Sequence, residues 1–148
     1  MVDIKQIKEL RDATSVSITE CKKALKEAGG DFEKAKEVLM ERGREIAKNR
    51  AARETAEGLI DSYIHAGGRV GVMIELHCES DFVARSEDFQ QLSHEICLQI
   101  AAMDPEETPL MEQPWIRDPK KNIKELIEEY ITKFGENIAL ERFVRYEL

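Results

Sequence analysis

A chain of 148 residues that is 42% hydrophobic can bury one ordinary core, or a small helical module joined to a slightly larger one. Aromatics at 6% and charged residues at 35% leave Ile, Leu, Val and Ala to build it. The uncharged runs around 70–74 and 97–103 are too short to span a bilayer, Met1-Val2-Asp3-Ile4-Lys5 lacks a secretory n-region and h-region, and Cys21, Cys78 and Cys97 form neither a disulfide framework nor a CxxC zinc pair, so a cytoplasmic protein without membrane contact is expected.

Charge is uneven along the chain. Residues 1–56 carry 13 Lys/Arg against 11 Asp/Glu, whereas residues 57–148 carry 9 against 19. An acidic second half repels phosphate backbones, and no basic stripe interleaved with aromatics offsets it, so no nucleic-acid binding is expected.

Three helical patterns open the chain. Asp3 can cap the first, with Gln6 three residues on and Ile4, Ile7 and Leu10 along one face. Ser17 and Glu20 make an S-x-x-E capping box before Ile18, Cys21, Ala24 and Leu25, and Gly29-Gly30 stops that helix. Asp31 caps a third, carrying Phe32, Ala35, Val38 and Leu39, with Gly43 as its expected terminator. Residues 1–43 thus read as a three-helix bundle, small enough to call for tight packing. Residues 44–57, polar and free of Pro and Gly, suit an exposed connecting helix.

From residue 58 the period changes. Val70, Val72, Ile74, Leu76 and Cys78 alternate with Arg69, Gly71, Met73, Glu75 and His77, the mark of a half-buried strand. Residues 59–65 are also strand-like, and Gly67-Gly68 supplies a hairpin turn. Ser86 caps a helix with Phe89, Leu92, Ile96, Ile100 and Met103 on one face, which Asp104-Pro105 ends; a loop runs to about residue 118. Asp118-Pro119 reads as cap and first-turn proline of a further helix carrying Ile123, Leu126, Ile127, Tyr130, Ile131 and Phe134, ended by Gly135. Ile138, Leu140, Val144, Tyr146 and Leu148 form a last strand, with Arg142 out of pattern. Residues 58–148 are therefore expected to be an α+β core, helices packed on a three-stranded antiparallel sheet.

Candidate chemistry is sparse. His77 and Cys78 are neighbours on a strand and point to opposite faces; His94 and Cys97 lie one helical turn apart without a second ligand pair. The three cysteines sit on apolar faces as small hydrophobes, and no phosphate-binding glycine motif occurs, so no metal, no cofactor and no catalytic group is expected. A cysteine enzyme built on Cys78 and His77 is the weakest of the readings considered. Phe82, after Asp81 and between a strand and a capped helix, reads either as a core aromatic closing the strand's end or as an exposed acid–aromatic probe for another protein.

Longer motifs carry a resemblance. Leu10-Arg11, Cys21-Lys22-Lys23-Ala24-Leu25, Gly30-Asp31 and Glu33-Lys34-Ala35 resemble the ubiquitin-associated (UBA)-like amino-terminal domain of bacterial elongation factor Ts. Cys78-Glu79-Ser80-Asp81-Phe82-Val83-Ala84-Arg85 is similar to that family's C-[EQ]-T-D-F-V-A-[RK] signature, and Gly135-Glu136-Asn137-Ile138 with Arg142-Phe143 to its carboxy-terminal G-E-N-I strand. The resemblance implies a guanine-nucleotide exchange factor for elongation factor Tu. Asp81 and Phe82, supported by Val83, would enter the G domain of Tu near its Mg²⁺ and nucleotide. Arg11, Ile18, Thr19 and Lys22 would grip the same domain, and the final strand would meet a second domain of Tu. The family's T-G-A-G-M-M turn is Thr14-Ser15-Val16-Ser17-Ile18-Thr19 here, Ser80 replaces a threonine, and the region after Met103 is abbreviated. The chain carries one core half where long members carry two, which implies a homodimer. The competing reading is a UBA-like scaffold that binds a helix or tail through the bundle, with no exchange activity.

Overall fold

A computed structural model describes residues 1–148. Three helices come first: α1 (Ile4–Thr14), α2 (Ile18–Glu27) and α3 (Phe32–Arg50). Each starts under the residue the sequence nominates, with Asp3, Ser17 and Asp31 accepting backbone N–H bonds from Lys5, Glu20 and Lys34. Ile7, Leu10, Cys21, Ala24, Leu25, Ala35 and Leu39 close into their own buried cluster. Ile4, expected on the inner face, is exposed. Ser15 caps α1 in the left-handed region at φ 58°, donating its N–H to the Arg11 carbonyl. A glycine takes that conformation freely, so serine here stores strain where the turn of the family it resembles has T-G-A-G.

Gly43 does not terminate the third helix. α3 runs through it to Arg50, so the expected connecting helix is the same element, and residues 51–56 carry no helix. Glycine inside a helix costs only about 1 kcal/mol relative to alanine, which packing can offset. A Cβ at Gly43 would stand 3.2 Å from Thr132 Oγ1, so its absence lets α3 lie close against the later helix that carries Thr132. Arg42 pairs with Glu20 at 2.8 Å and with Glu27, tying α3 to α2.

The core follows as β1 (Glu57–Ile64), β2 (Val70–Cys78), α4 (Asp81–Ala84), α5 (Glu87–Ala102), β3 (Pro114–Trp115), β4 (Asp118–Asn122), α6 (Ile123–Phe134) and β5 (Ala139–Glu147). β1 and β2 form the hairpin, with Gly67 and Gly68 at φ 91° and 69°, and β5 adds antiparallel on the other side of β2. Val72, Ile74, Leu76 and Cys78 face inward onto Phe89, Leu92, Ile96 and Ile100 of α5 and Ile123, Leu126 and Ile131 of α6. Arg142 breaks the alternation because of a bulge: Glu75 pairs with Arg142 but Leu76 with Leu140, leaving Glu141 over.

The start of α6 also differs from expectation. Asp118-Pro119 opens no helix; it begins β4, which pairs with β3 in a small second ribbon. The helix begins at Ile123, where Asn122 accepts the Glu125 N–H at 2.8 Å and the Glu125 carboxylate accepts the Asn122 N–H at 3.2 Å. That reciprocal box satisfies two otherwise orphaned donors, more than a proline start can. The shortened stretch before it is stapled by buried Gln99 and Gln113. Gln99 Nε2 donates to Gln113 Oε1, and Gln113 Nε2 donates to the Met103 and Thr108 carbonyls. No helix is long and apolar enough to cross a membrane.

Candidate functional site: an exposed acid–aromatic tip

β2 ends at fully buried Cys78, and the chain turns at Ser80, whose hydroxyl accepts the Val83 N–H at 3.3 Å and so caps α4. One turn of helix can bury only one side. Ala84 is buried and Val83 packs against the core, which points Asp81 and Phe82 the other way. Phe82 is 87% exposed, the ring standing in solvent, whereas the buried ring in this part of the chain is Phe89. The core-closing alternative for Phe82 is thereby excluded. Asp81 pairs only with Arg85, 3.3 Å away, and both side chains are exposed, so the pair contributes little and leaves the carboxylate available.

The base of the tip is polar. Glu136, in the turn after α6, accepts the N–H groups of Glu79 and Ser80 and the hydroxyl of Ser80. The Cys78 thiol donates to the Ser80 carbonyl at 3.2 Å; burial, with Glu136 nearby, pushes it up to about 11. Cys97 is pushed up to about 12, mainly by burial. Both thiols are protonated at neutral pH, the opposite of what a nucleophile needs. His77 and Cys78 do face opposite ways, with His77 Nε2 on Glu75 at 3.0 Å.

Arg11, Ile18, Thr19 and Lys22 are all exposed and flank the α1–α2 turn that holds Ser15. This patch shares no hydrogen bond or ion pair with the tip; the two are joined through α3. A cleft of about 180 Å³ lies between the bundle and α6, lined by charged side chains including Glu37, Arg44, Lys121 and Glu129, and includes none of the tip residues.

One surface escaped the sequence reading. The outer face of the sheet presents Ile60 and Ile64 from β1, Met73 from β2 and Val144 and Tyr146 from β5, all exposed and on neighbouring strands. The signal was available: Leu59-Ile60 and Tyr63-Ile64 put apolar side chains on both faces of one strand, the pattern of a sheet covered twice.

The tip is thus an exposed ring held out on a short capped helix above two buried thiols. Comparison with known proteins says which family the chain belongs to. The family model for elongation factor Ts matches residues 4–106 and 79–148. The chain is 42% identical to elongation factor Ts of Coprothermobacter proteolyticus over 188 aligned positions, covering 96% of this chain and 95% of that one. It is 39% identical to elongation factor Ts of Thermoanaerobacter pseudethanolicus over 193 positions (99% and 95%), and 39% to that of Thermosipho melanesiensis over 192 (99% and 98%). The chain therefore belongs to the elongation factor Ts family and is a translation elongation factor of protein biosynthesis. Alignments of 193 positions against 148 residues mean that such relatives carry internal residues with no counterpart here.

Proposed function

We propose that this chain promotes GDP release from elongation factor Tu, acting as a guanine-nucleotide exchange factor with no covalent chemistry of its own. The observation that carries the reading is Phe82, 87% exposed beside an available Asp81 on a one-turn helix supported by Val83. Such a ring is a wedge waiting for an apolar slot. Inserted near the Mg²⁺ and nucleotide site of the G domain, it displaces the element that orients the Mg²⁺ ligands and weakens the hold on the phosphates.

Magnitudes show why a second contact is needed. Burying the ring contributes about 1.5–3 kcal/mol, whereas a thousandfold acceleration needs roughly 4 kcal/mol of barrier lowering. Arg11, Ile18, Thr19 and Lys22 supply the rest by holding the same G domain, in a UBA-like module of residues 1–43 carried on α3. Linkage makes the effect reciprocal: what this chain takes from GDP affinity, GDP takes from its affinity for Tu, so incoming nucleotide releases it. The core, residues 58–148, contacts a second domain of Tu through the final strand. It also forms a homodimer, for which the apolar outer face of the sheet is suited, in the cytoplasm.

The test is release of fluorescent GDP from a bacterial elongation factor Tu. The wild-type chain accelerates release, and Phe82→Ala loses most of that acceleration while staying folded. Binding to Tu with no effect on release would leave the scaffold reading in possession of the field.

A further inference from the structure

Phe82 stands in solvent and Asp81 touches only its neighbour Arg85, so neither side chain holds the tip in place. A helix of four residues cannot sustain itself either, because nucleation alone costs more than its few bonds return. The β2–β5 ladder stops at the His77–Ala139 pair, which leaves the N–H groups of Glu79 and Ser80 without a strand partner. Glu136 replaces that partner. One of its carboxylate oxygens accepts the Glu79 N–H at 3.1 Å and the Ser80 N–H at 2.9 Å, and the other accepts the Ser80 hydroxyl at 2.6 Å. The hydroxyl that caps α4 is thus itself aimed by Glu136, and bonds to an ionised acceptor are among the stronger kind.

The connection is returned. The Glu79 carboxylate accepts the Asn137 N–H at 2.8 Å, the Asn137 amide donates to the Arg53 carbonyl at 3.0 Å, and Arg50 Nε donates to the Gly135 carbonyl at 2.7 Å. The turn of Gly135, Glu136 and Asn137 therefore spans from the end of the helix that carries the bundle to the root of the tip.

We infer that Glu136 is a positioning residue for nucleotide exchange: it meets no substrate, but fixes the direction in which Asp81 and Phe82 leave the sheet. The inference rests on the exchange reading of the tip. A misplacement of about 1 Å at a reacting centre can cost on the order of a hundredfold, so losing this brace should appear in the rate rather than in the affinity.

The experiment measures fluorescent-GDP release from elongation factor Tu across a titration of the full chain, for wild type, Phe82→Ala, Glu136→Ala and Glu136→Gln. Glu136→Ala is expected to lower the rate at saturation by roughly tenfold or more while the half-saturating concentration stays within about twofold, the split a misaimed wedge produces. Hydrogen exchange at the Ser80 and Val83 amides should quicken in the same variant. Glu136→Gln keeps one acceptor oxygen for the two backbone donors and turns a donor toward Ser80, so it should fall between wild type and Glu136→Ala. A folded Glu136→Ala with the wild-type saturating rate, or with its whole loss in half-saturation, overturns the assignment. Should Glu136→Ala fail to fold, Glu136→Gln decides, and a wild-type rate there overturns it equally. Phe82→Ala separates the two levels. If it too releases GDP normally, the tip reading has failed; if it is impaired while the Glu136 variants are not, only the positioning role has.

Discussion

Two exposed apolar regions of this molecule are held in opposite ways. The outer face of the sheet is broad, and its five apolar side chains ride on strands fixed by two antiparallel ladders. The tip is a single ring on one helical turn, fixed by a cap and a carboxylate. A flat, rigid, apolar area suits a lasting interface, whose affinity comes from surface removed from water. A lone ring on a polar brace buries too little for that, but it can enter a slot that a flat face cannot. On the proposed reading the sheet face holds two chains together and the tip prises a partner apart, and substitutions should separate the two roles.

The largest effect is expected on the sheet face. Met73→Lys, at the centre of β2, would bury an unpaired ammonium between two chains at a cost of several kcal/mol, weakening association by roughly a thousandfold. Analytical ultracentrifugation should show the dimer mass falling to that of the monomer; a wild-type chain already monomeric at high concentration would break this half of the comparison. Next comes Phe82→Ala, expected to slow GDP release about tenfold to a hundredfold, matching the loss of about 1.5–3 kcal/mol, with the mass unchanged. Because that ring touches no core, chemical denaturation should find stability within about 0.5 kcal/mol of wild type.

Ser80→Ala is a smaller, mixed case. It removes the cap of α4 and should cost about 1 kcal/mol in denaturation, whereas Ser80→Thr keeps a hydroxyl and should stay close to wild type. The smallest effect belongs to a position in neither region. Ser15→Gly relieves a serine held at φ 58° and should raise stability by about 0.5–1 kcal/mol, seen as a higher denaturation midpoint at constant slope. A change of mass or of tip dynamics in that variant would mean that the regions are less separate than their contacts suggest.

Local signals carried much of this fold. Asp3, Ser17, Asp31 and Ser86 cap the helices they were expected to cap, because a cap bond is made within three residues. The period of two at 70–78 gave the inner face of the sheet directly, since Val72, Ile74, Leu76 and Cys78 recur at every second position and are all buried. The errors fall where distant contacts decide. Gly43 looked like a stop, but the fit of α3 against Thr132 of α6 outweighs its weak intrinsic preference. Asp118-Pro119 looked like a start, but strand pairing with Pro114 and Trp115 claims it, and Asn122 with Glu125 makes the better box. At the candidate site, Asp81, Phe82 and Val83 were legible by motif, yet Phe82's direction was not, because it depends on which side of α4 the core takes. Glu136 stands inside the Gly135-Glu136-Asn137-Ile138 motif, but its partners are more than fifty residues away and no spacing reveals them.

The unbroken run of α3 from Phe32 to Arg50 makes the bundle a handle on the core rather than a tethered passenger. Its far end is gripped by Gly135, and its middle lies against α6 through Gly43. When one surface of such a body finds its target, the other arrives at a set distance and angle, with little orientational freedom left to surrender. Two modest footholds can then act as one.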